Sequence, residues 1–164
     1  MMNNSMWRLV LVFCLLIATT SCSQAGEAGY QLVYVQDGDS AVLCCDKGKQ
    51  FTVRLLDIDA PEKHQPYAED SKARLERFLK GESLALRGSK RDRYGRRLAV
   101  IEVNGESIND KMVESGAAWV WKYSKSKRMR ALQQEAKESA IGLWALPEAQ
   151  RQNPWEWRQS HPRK

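Results

Sequence analysis

The sequence predicts a small, mainly β barrel with a few helices packed on it. Three observations carry that expectation: short apolar stretches separated by polar turns between Tyr30 and Val103; helical spacing of apolar residues confined to three stretches; and a length of 164 residues, 43% hydrophobic and 28% charged, that suits one domain. The composition has neither the low hydrophobicity of a disordered chain nor the Gly or Pro period of a fibre. Four cysteines and two histidines are too few for a disulfide scaffold or a multi-histidine zinc site.

Arg8 is the only charged residue before Glu27 and precedes the apolar run 9–18, after which small polar residues follow. Such a core is shorter than the roughly 20 residues that span a bilayer and fits an export signal. Ser23-Gln24-Ala25 offers small residues for cleavage before Gly26, which places a signal peptide at 1–25 and an exported, periplasmic or secreted product. Two alternatives stay open, an uncleaved anchor and lipidation at Cys22 after Thr19-Thr20-Ser21; membrane attachment is expected only with such an anchor.

Strands are expected at 30–35, 40–45, 50–56, 84–87 and 97–103, with a polar turn at 46–49. If Cys44 and Cys45 lie in a strand, their side chains point to opposite faces, so they are not expected to bond to each other; reduced thiols and an intermolecular disulfide both stay open. One helix begins near Pro66, ends before Gly81 and turns Ala68, Leu75, Phe78 and Leu79 to one face. A second runs over 109–115 and stops at Gly116; a third aligns Met129, Leu132, Ala136 and Leu143 and closes at Gly142. The domain is drawn at 26–146. Residues 147–164 form an aromatic C-terminal extension, and its Trp155-Glu156-Trp157-Arg158 is too aromatic for a free tail, so it is expected to dock on or flank the barrel.

Three segments place charge where strands should end. Asp37-Gly38-Asp39-Ser40 alone reads as an ordinary turn. The run from Arg54 to Glu62 sets an arginine in an apolar strand, followed by Asp57, Asp59 and Glu62. By alternation Arg54 shares the inward side with Leu56 and Ile58, which requires an anionic partner. Asp92-Arg93-Tyr94-Gly95-Arg96-Arg97 is a basic turn whose glycine lets the backbone approach a ligand. Together they hold what phosphodiester hydrolysis needs: carboxylates for a hard cation at Asp39 and Asp59, guanidinium donors for a phosphate at Arg54 and Arg96, and a base for water at Glu62. Strict alternation would put Arg54 and Asp59 on opposite faces, so the chain must leave strand geometry near Asp57. His64 is a second candidate base, although a lone loop histidine carries little by itself.

These three segments, in their order and approximate spacing, resemble the active-site motifs of the staphylococcal nuclease (thermonuclease) family, and the likeness extends over about Val33 to Trp144. The resemblance implies an OB-fold five-stranded barrel with three helices, Ca2+ as cofactor, and cleavage of DNA and RNA without sequence specificity to leave 3′-phosphate ends. It assigns Asp39, Asp59 and the Ala60 carbonyl to calcium, Arg54 and Arg96 to the scissile phosphate, Glu62 to the attacking water and Tyr94 to the nucleotide. Arg93, Trp121 and Tyr123 are candidate substrate contacts beside it. Ala60 and Ser40 stand where the staphylococcal enzyme has Thr, and the segment 63–67 is shorter than its loop. The Trp155–Arg158 end lies outside the staphylococcal chain and looks like a terminus of Gram-negative secreted members.

A net charge of +6 and two basic clusters, Arg87 to Arg97 and Lys122 to Arg130, favour a polyphosphate partner bound in a salt-sensitive way. Two further readings are kept. A non-catalytic OB-fold nucleic-acid-binding module would bind without turnover, and an envelope structural domain would fractionate with membranes. No stable protein partner is implied, and a monomer is expected.

Overall fold

The computed structural model describes residues 27–162, so the signal peptide expected at 1–25 and the candidate lipidation site Cys22 lie outside the described residues. In chain order, β1 (Glu27–Asp37), β2 (Ser40–Asp46) and β3 (Lys49–Leu55) form an antiparallel meander, followed by the short β4 (Ile58–Asp59) and the helix α1 (Ala68–Leu79). Next come β5 (Leu84–Arg87), β6 (Arg97–Val103), β7 (Glu106–Ser107), α2 (Ile108–Glu114), β8 (Trp119–Val120), α3 (Lys127–Glu138) and α4 (Pro154–Ser160). β5 pairs antiparallel with β1 and β6, and β6 pairs in parallel with β3, which closes a five-stranded barrel. Closure leaves these strands without a free edge along the paired segments.

The five long strands fall where the sequence places them, because apolar residues alternate toward one interior. Leu43, Val53, Leu55, Leu84, Leu86 and Ile101 are fully buried there. The β2–β3 turn has left-handed backbone at Lys47 (φ 49) and Gly48 (φ 78), the conformation that suits a two-residue hairpin. α1 plugs the barrel with Leu75 and Leu79, as its spacing predicts.

Four departures have physical reasons. α3 ends at Glu138, a turn earlier than expected, and Leu143 lies in a separate short 3-10 turn, Gly142–Ala145. There Gly142 approaches so closely that a Cβ would sit 2.5 Å from the Gly116 carbonyl oxygen, and the Leu143 amide donates to that same oxygen at 2.9 Å. The short pair β4–β8 carries no alternation long enough to read in sequence. A fourth helix, α4, forms beyond the three implied by family likeness, capped by Asn153 with Pro154 in its first turn. Finally, Cys44 and Cys45 bring their sulfur atoms together, contrary to the opposite faces expected from strand alternation. The β2–β3 ladder is interrupted between Leu43 and Asp46, so the pair does not lie in regular pleat.

Among the described residues no helix is long and apolar enough to cross a membrane.

Candidate active site

The β1–β2 turn is fixed from both sides. The Asp39 amide donates to Asp37 Oδ1 at 3.1 Å, the Asp39 carbonyl accepts the Leu55 amide at 2.8 Å, and Asp39 Oδ2 accepts the Ala60 amide at 2.7 Å. Gly38 is pressed against α1, where an added Cβ would lie 1.9 Å from Ser71 Oγ. Ser71 is itself held there by donating to the Ala117 carbonyl at 2.6 Å.

Arg54 leaves β3 beside this turn. Its Nε meets Asp39 Oδ1 at 3.1 Å, its Nη2 meets Asp59 Oδ1 at 3.3 Å, and its Nη1 donates to the Leu55 and Ile58 carbonyls at 2.7 and 3.0 Å. Val53 and Leu55 take the barrel interior, so Arg54 lies on the opposite, half-buried face of β3 rather than inward as alternation with Leu56 and Ile58 suggested, and these acids and carbonyls are the reception its charge requires there. The chain leaves strand geometry where expected: Asp57 adopts φ 62, which brings Asp59 back to the face of Arg54. Asn109, fully buried, holds the exit of β3 by donating to the Leu56 and Ala99 carbonyls at 2.9 and 3.2 Å and accepting the Ile101 amide at 3.1 Å.

In the β5–β6 loop, Asp92 organises Arg96. Its carboxylate accepts the Tyr94 and Arg96 amides at 2.9 and 3.0 Å and Arg96 Nε at 2.8 Å. Desolvation is the largest single influence on the Asp92 carboxyl and raises it, but these bonds and the charge of Arg96 together outweigh it and hold it below the usual range. Arg96 Nη1 then reaches Ser40 Oγ at 3.3 Å, which places its guanidinium over the Asp39 turn.

These parts face one open cleft of about 1110 Å³ that contains Asp39, Arg54, Asp59, Glu62, Arg93, Tyr94, Arg96 and Trp121. Tyr94 is exposed, with the Arg93 and Arg96 guanidinium carbons 4.8 and 5.6 Å from its ring centre, and Trp121, also exposed, lines the same cleft. Tyr123 packs edge-on against Trp121 at 5.1 Å but does not line the cleft, and His64 lines it from an exposed turn. Ala60 is buried beside Asp39.

The C-terminal extension also reaches this cleft. Pro154 is buried, Gln65 Nε2 donates to the Gln152 carbonyl at 2.6 Å, and the Lys122 ammonium lies 4.3 Å from the Trp155 ring centre. Arg158 donates to Glu62 Oε1 at 2.7 Å and to both oxygens of Asp59 at 3.1 and 2.8 Å. Sequence reasoning missed Arg158, Asn109 and Ser71. The aromatic end signalled docking, but no local pattern names partners 96 and 99 residues away.

Asp39 and Asp59 are buried acids with oxygen donors only, a set that fits a hard dication such as calcium. Burial, partly offset by Arg54, pushes the Asp39 carboxyl up to about 6, and burial also raises Asp59 against the hydrogen bond from Arg158. Both ionised carboxylates therefore gain from added positive charge. Among the described residues no group of three or more Asp, Glu, His or Cys converges as a ready ligand set, and Arg54 and Arg158 lie on the carboxylate oxygens of Asp39 and Asp59.

A sequence model of the family described as Staphylococcal nuclease homologue matches residues 52–146. The chain is 38% identical over 130 residues to an uncharacterized endonuclease of Escherichia coli, covering 78% of this chain and 83% of that protein. It is 38% identical over 139 residues to an uncharacterized endonuclease of Haemophilus influenzae, covering 84% and 75%. It is 32% identical over 134 residues to a staphylococcal-like nuclease of Arabidopsis thaliana, of which it spans 39%.

Proposed function

The chain belongs to the staphylococcal nuclease family, and on that premise we propose that it is an exported, calcium-dependent nuclease that hydrolyses DNA and RNA without sequence specificity and leaves 3′-phosphate ends. The observation that carries this reading is the convergence of Asp39, Arg54, Asp59, Glu62 and Arg96 on one cleft from separate chain segments. A binding module has no need of that set. Asp39, Asp59 and the Ala60 carbonyl would hold the calcium, which supplies positive charge against the oxygens of a bound phosphate.

The chain's own residues account for the remaining chemistry. Arg96, set by Asp92 and Ser40, presents planar donors to the phosphate's equatorial oxygens, where charge grows in the transition state. Arg54 has most of its donors committed to Asp39, Asp59 and two carbonyls, so it orders both acids and offers its remaining Nη2 hydrogen to the phosphate. Glu62 accepts the proton of the attacking water. The new P–O bond forms as the bond to the 5′ oxygen breaks; that oxygen takes a proton from solvent and departs as a hydroxyl, which leaves phosphate on the 3′ side. Tyr94 and Trp121 supply stacking faces for bases, and Arg93 adds charge beside them.

The apolar run 9–18 ahead of Ser23-Gln24-Ala25 supports export, and export suits an enzyme with an open, weak calcium site. Digestion of single-stranded DNA in calcium and in chelator, with product ends identified, tests the reading. Calcium-dependent products ending in 3′-phosphate support it; binding without digestion would move the protein to the binding-module reading, and 3′-hydroxyl ends would contradict the bond assignment.

A further inference from the structure

Arg158 stands on the oxygens that a cation needs. Its Nη1 and Nη2 donate to Asp59 Oδ1 and Oδ2 at 3.1 and 2.8 Å, and Nη1 also donates to Glu62 Oε1 at 2.7 Å. With Arg54 Nη2 at 3.3 Å on Asp59 Oδ1, both oxygens of this buried acid are engaged by guanidinium groups. The Arg158 side chain is 41% exposed whereas that of Asp59 is 5% exposed, so the arginine reaches in from the cleft side and lies over a buried acid. It arrives from α4, outside the family-matched residues 52–146.

A guanidinium and a dication repel each other and compete for the same lone pairs. Arg158 differs from Arg54 in its freedom to yield. Arg54 is also tied to two backbone carbonyls of its own segment, whereas Arg158 donates, among the described residues, to the side chains of Asp59 and Glu62. α4 is meanwhile anchored upstream of it, through buried Pro154, the Gln65–Gln152 bond and the Lys122–Trp155 contact, so the side chain can swing away without undocking the helix.

We propose that Arg158 is a built-in surrogate cation: it holds Asp59 and Glu62 in the metal-free site and must release them for calcium to bind, so that the C-terminal extension sets the enzyme's calcium affinity. This rests on the assignment of Asp39 and Asp59 to calcium. Arg158 is thus a positioning residue that acts through Asp59 and Glu62.

The test is calorimetric titration of calcium, without nucleic acid, into the full chain, Arg158→Ala, Arg158→Lys and Asp59→Asn, with circular dichroism as the check on fold. Arg158→Ala should bind calcium roughly tenfold more tightly than the unaltered chain, a coupling of the ordinary size between competing sites. Arg158→Lys, which keeps the charge but loses the fork, should fall between them and covers the case in which the alanine variant does not fold. A purely structural contact would leave the affinity unchanged or weaken it. Unchanged or weaker binding in the folded variants, with binding still abolished by Asp59→Asn, would overturn this proposal and leave the calcium site standing. No calcium binding by the unaltered chain, or binding that Asp59→Asn retains, would overturn both.

Discussion

Asp39 and Ala60, 21 residues apart, are joined by a 2.7 Å hydrogen bond from the Ala60 amide to Asp39 Oδ2. The bond ties the β1–β2 turn to the exit of β4, so the Asp39 carboxylate is set by the backbone of the residue after Asp59. It holds only if the turn lies flat on α1, which depends on Gly38.

Gly38→Ala tests that dependence. A Cβ there would meet Ser71 Oγ at 1.9 Å and Ala60 Cβ at 2.7 Å, and Ser71 cannot retreat without giving up the Ala117 carbonyl. Overpacking of this kind costs about 1–3 kcal/mol. Thermal denaturation should show a lowered Tm, and cleavage should fall by about tenfold or more because Asp39 moves with the turn. A variant with unchanged Tm and activity would show that the turn does not set the site.

Asp39→Asn should make the metal-free protein more stable at neutral pH. Burial raises the folded-state pKa of Asp39 to about 6 from 3.8, so the folded state binds a proton more tightly than the unfolded chain. The contribution of Asp39 to stability therefore declines as pH rises from about 4 to about 6 and stays low above that. Denaturant unfolding in chelator should find the variant ahead of the unaltered protein at pH 7, with the gap closing near pH 4. A constant gap across that range would refute the assigned cause.

Asn109→Ala should cost about 2–3 kcal/mol in denaturant unfolding, since it leaves the Leu56 and Ala99 carbonyls and the Ile101 amide without this partner. A loss below about 0.5 kcal/mol would mean that water replaces the side chain there.

The barrel was legible because apolar alternation and turn residues recur over five strands, and Leu75 and Leu79 betray the face of α1. The carboxylates and arginines of the site were legible as clusters of charge inside apolar segments. Three things were not. The reach of Arg158 to Glu62 spans 96 residues, the clamp by Asn109 looks like any helical asparagine, and the meeting of the Cys44 and Cys45 side chains depends on an interrupted ladder rather than on strand alternation.

Tyr94→Ala and Trp121→Ala should each weaken single-stranded DNA binding by about 1–3 kcal/mol, the usual worth of a stacked base. Tyr123→Ala should have a smaller effect, because its ring packs on Trp121 outside the cleft. Fluorescence titration at fixed salt separates the three, and a Tyr123 effect equal to that of Tyr94 would relocate the binding path.

The most direct test of the central claim is the turnover of Glu62→Gln and Arg96→Ala on single-stranded DNA in saturating calcium. A base and a phosphate donor that act in the transition state contribute about 10²- to 10³-fold each, so both variants should lose at least a hundredfold in kcat while keeping the circular dichroism spectrum of the unaltered protein. Turnover within a few-fold of the unaltered protein in either variant would contradict the assignment of this cleft as the place where the phosphodiester bond is broken.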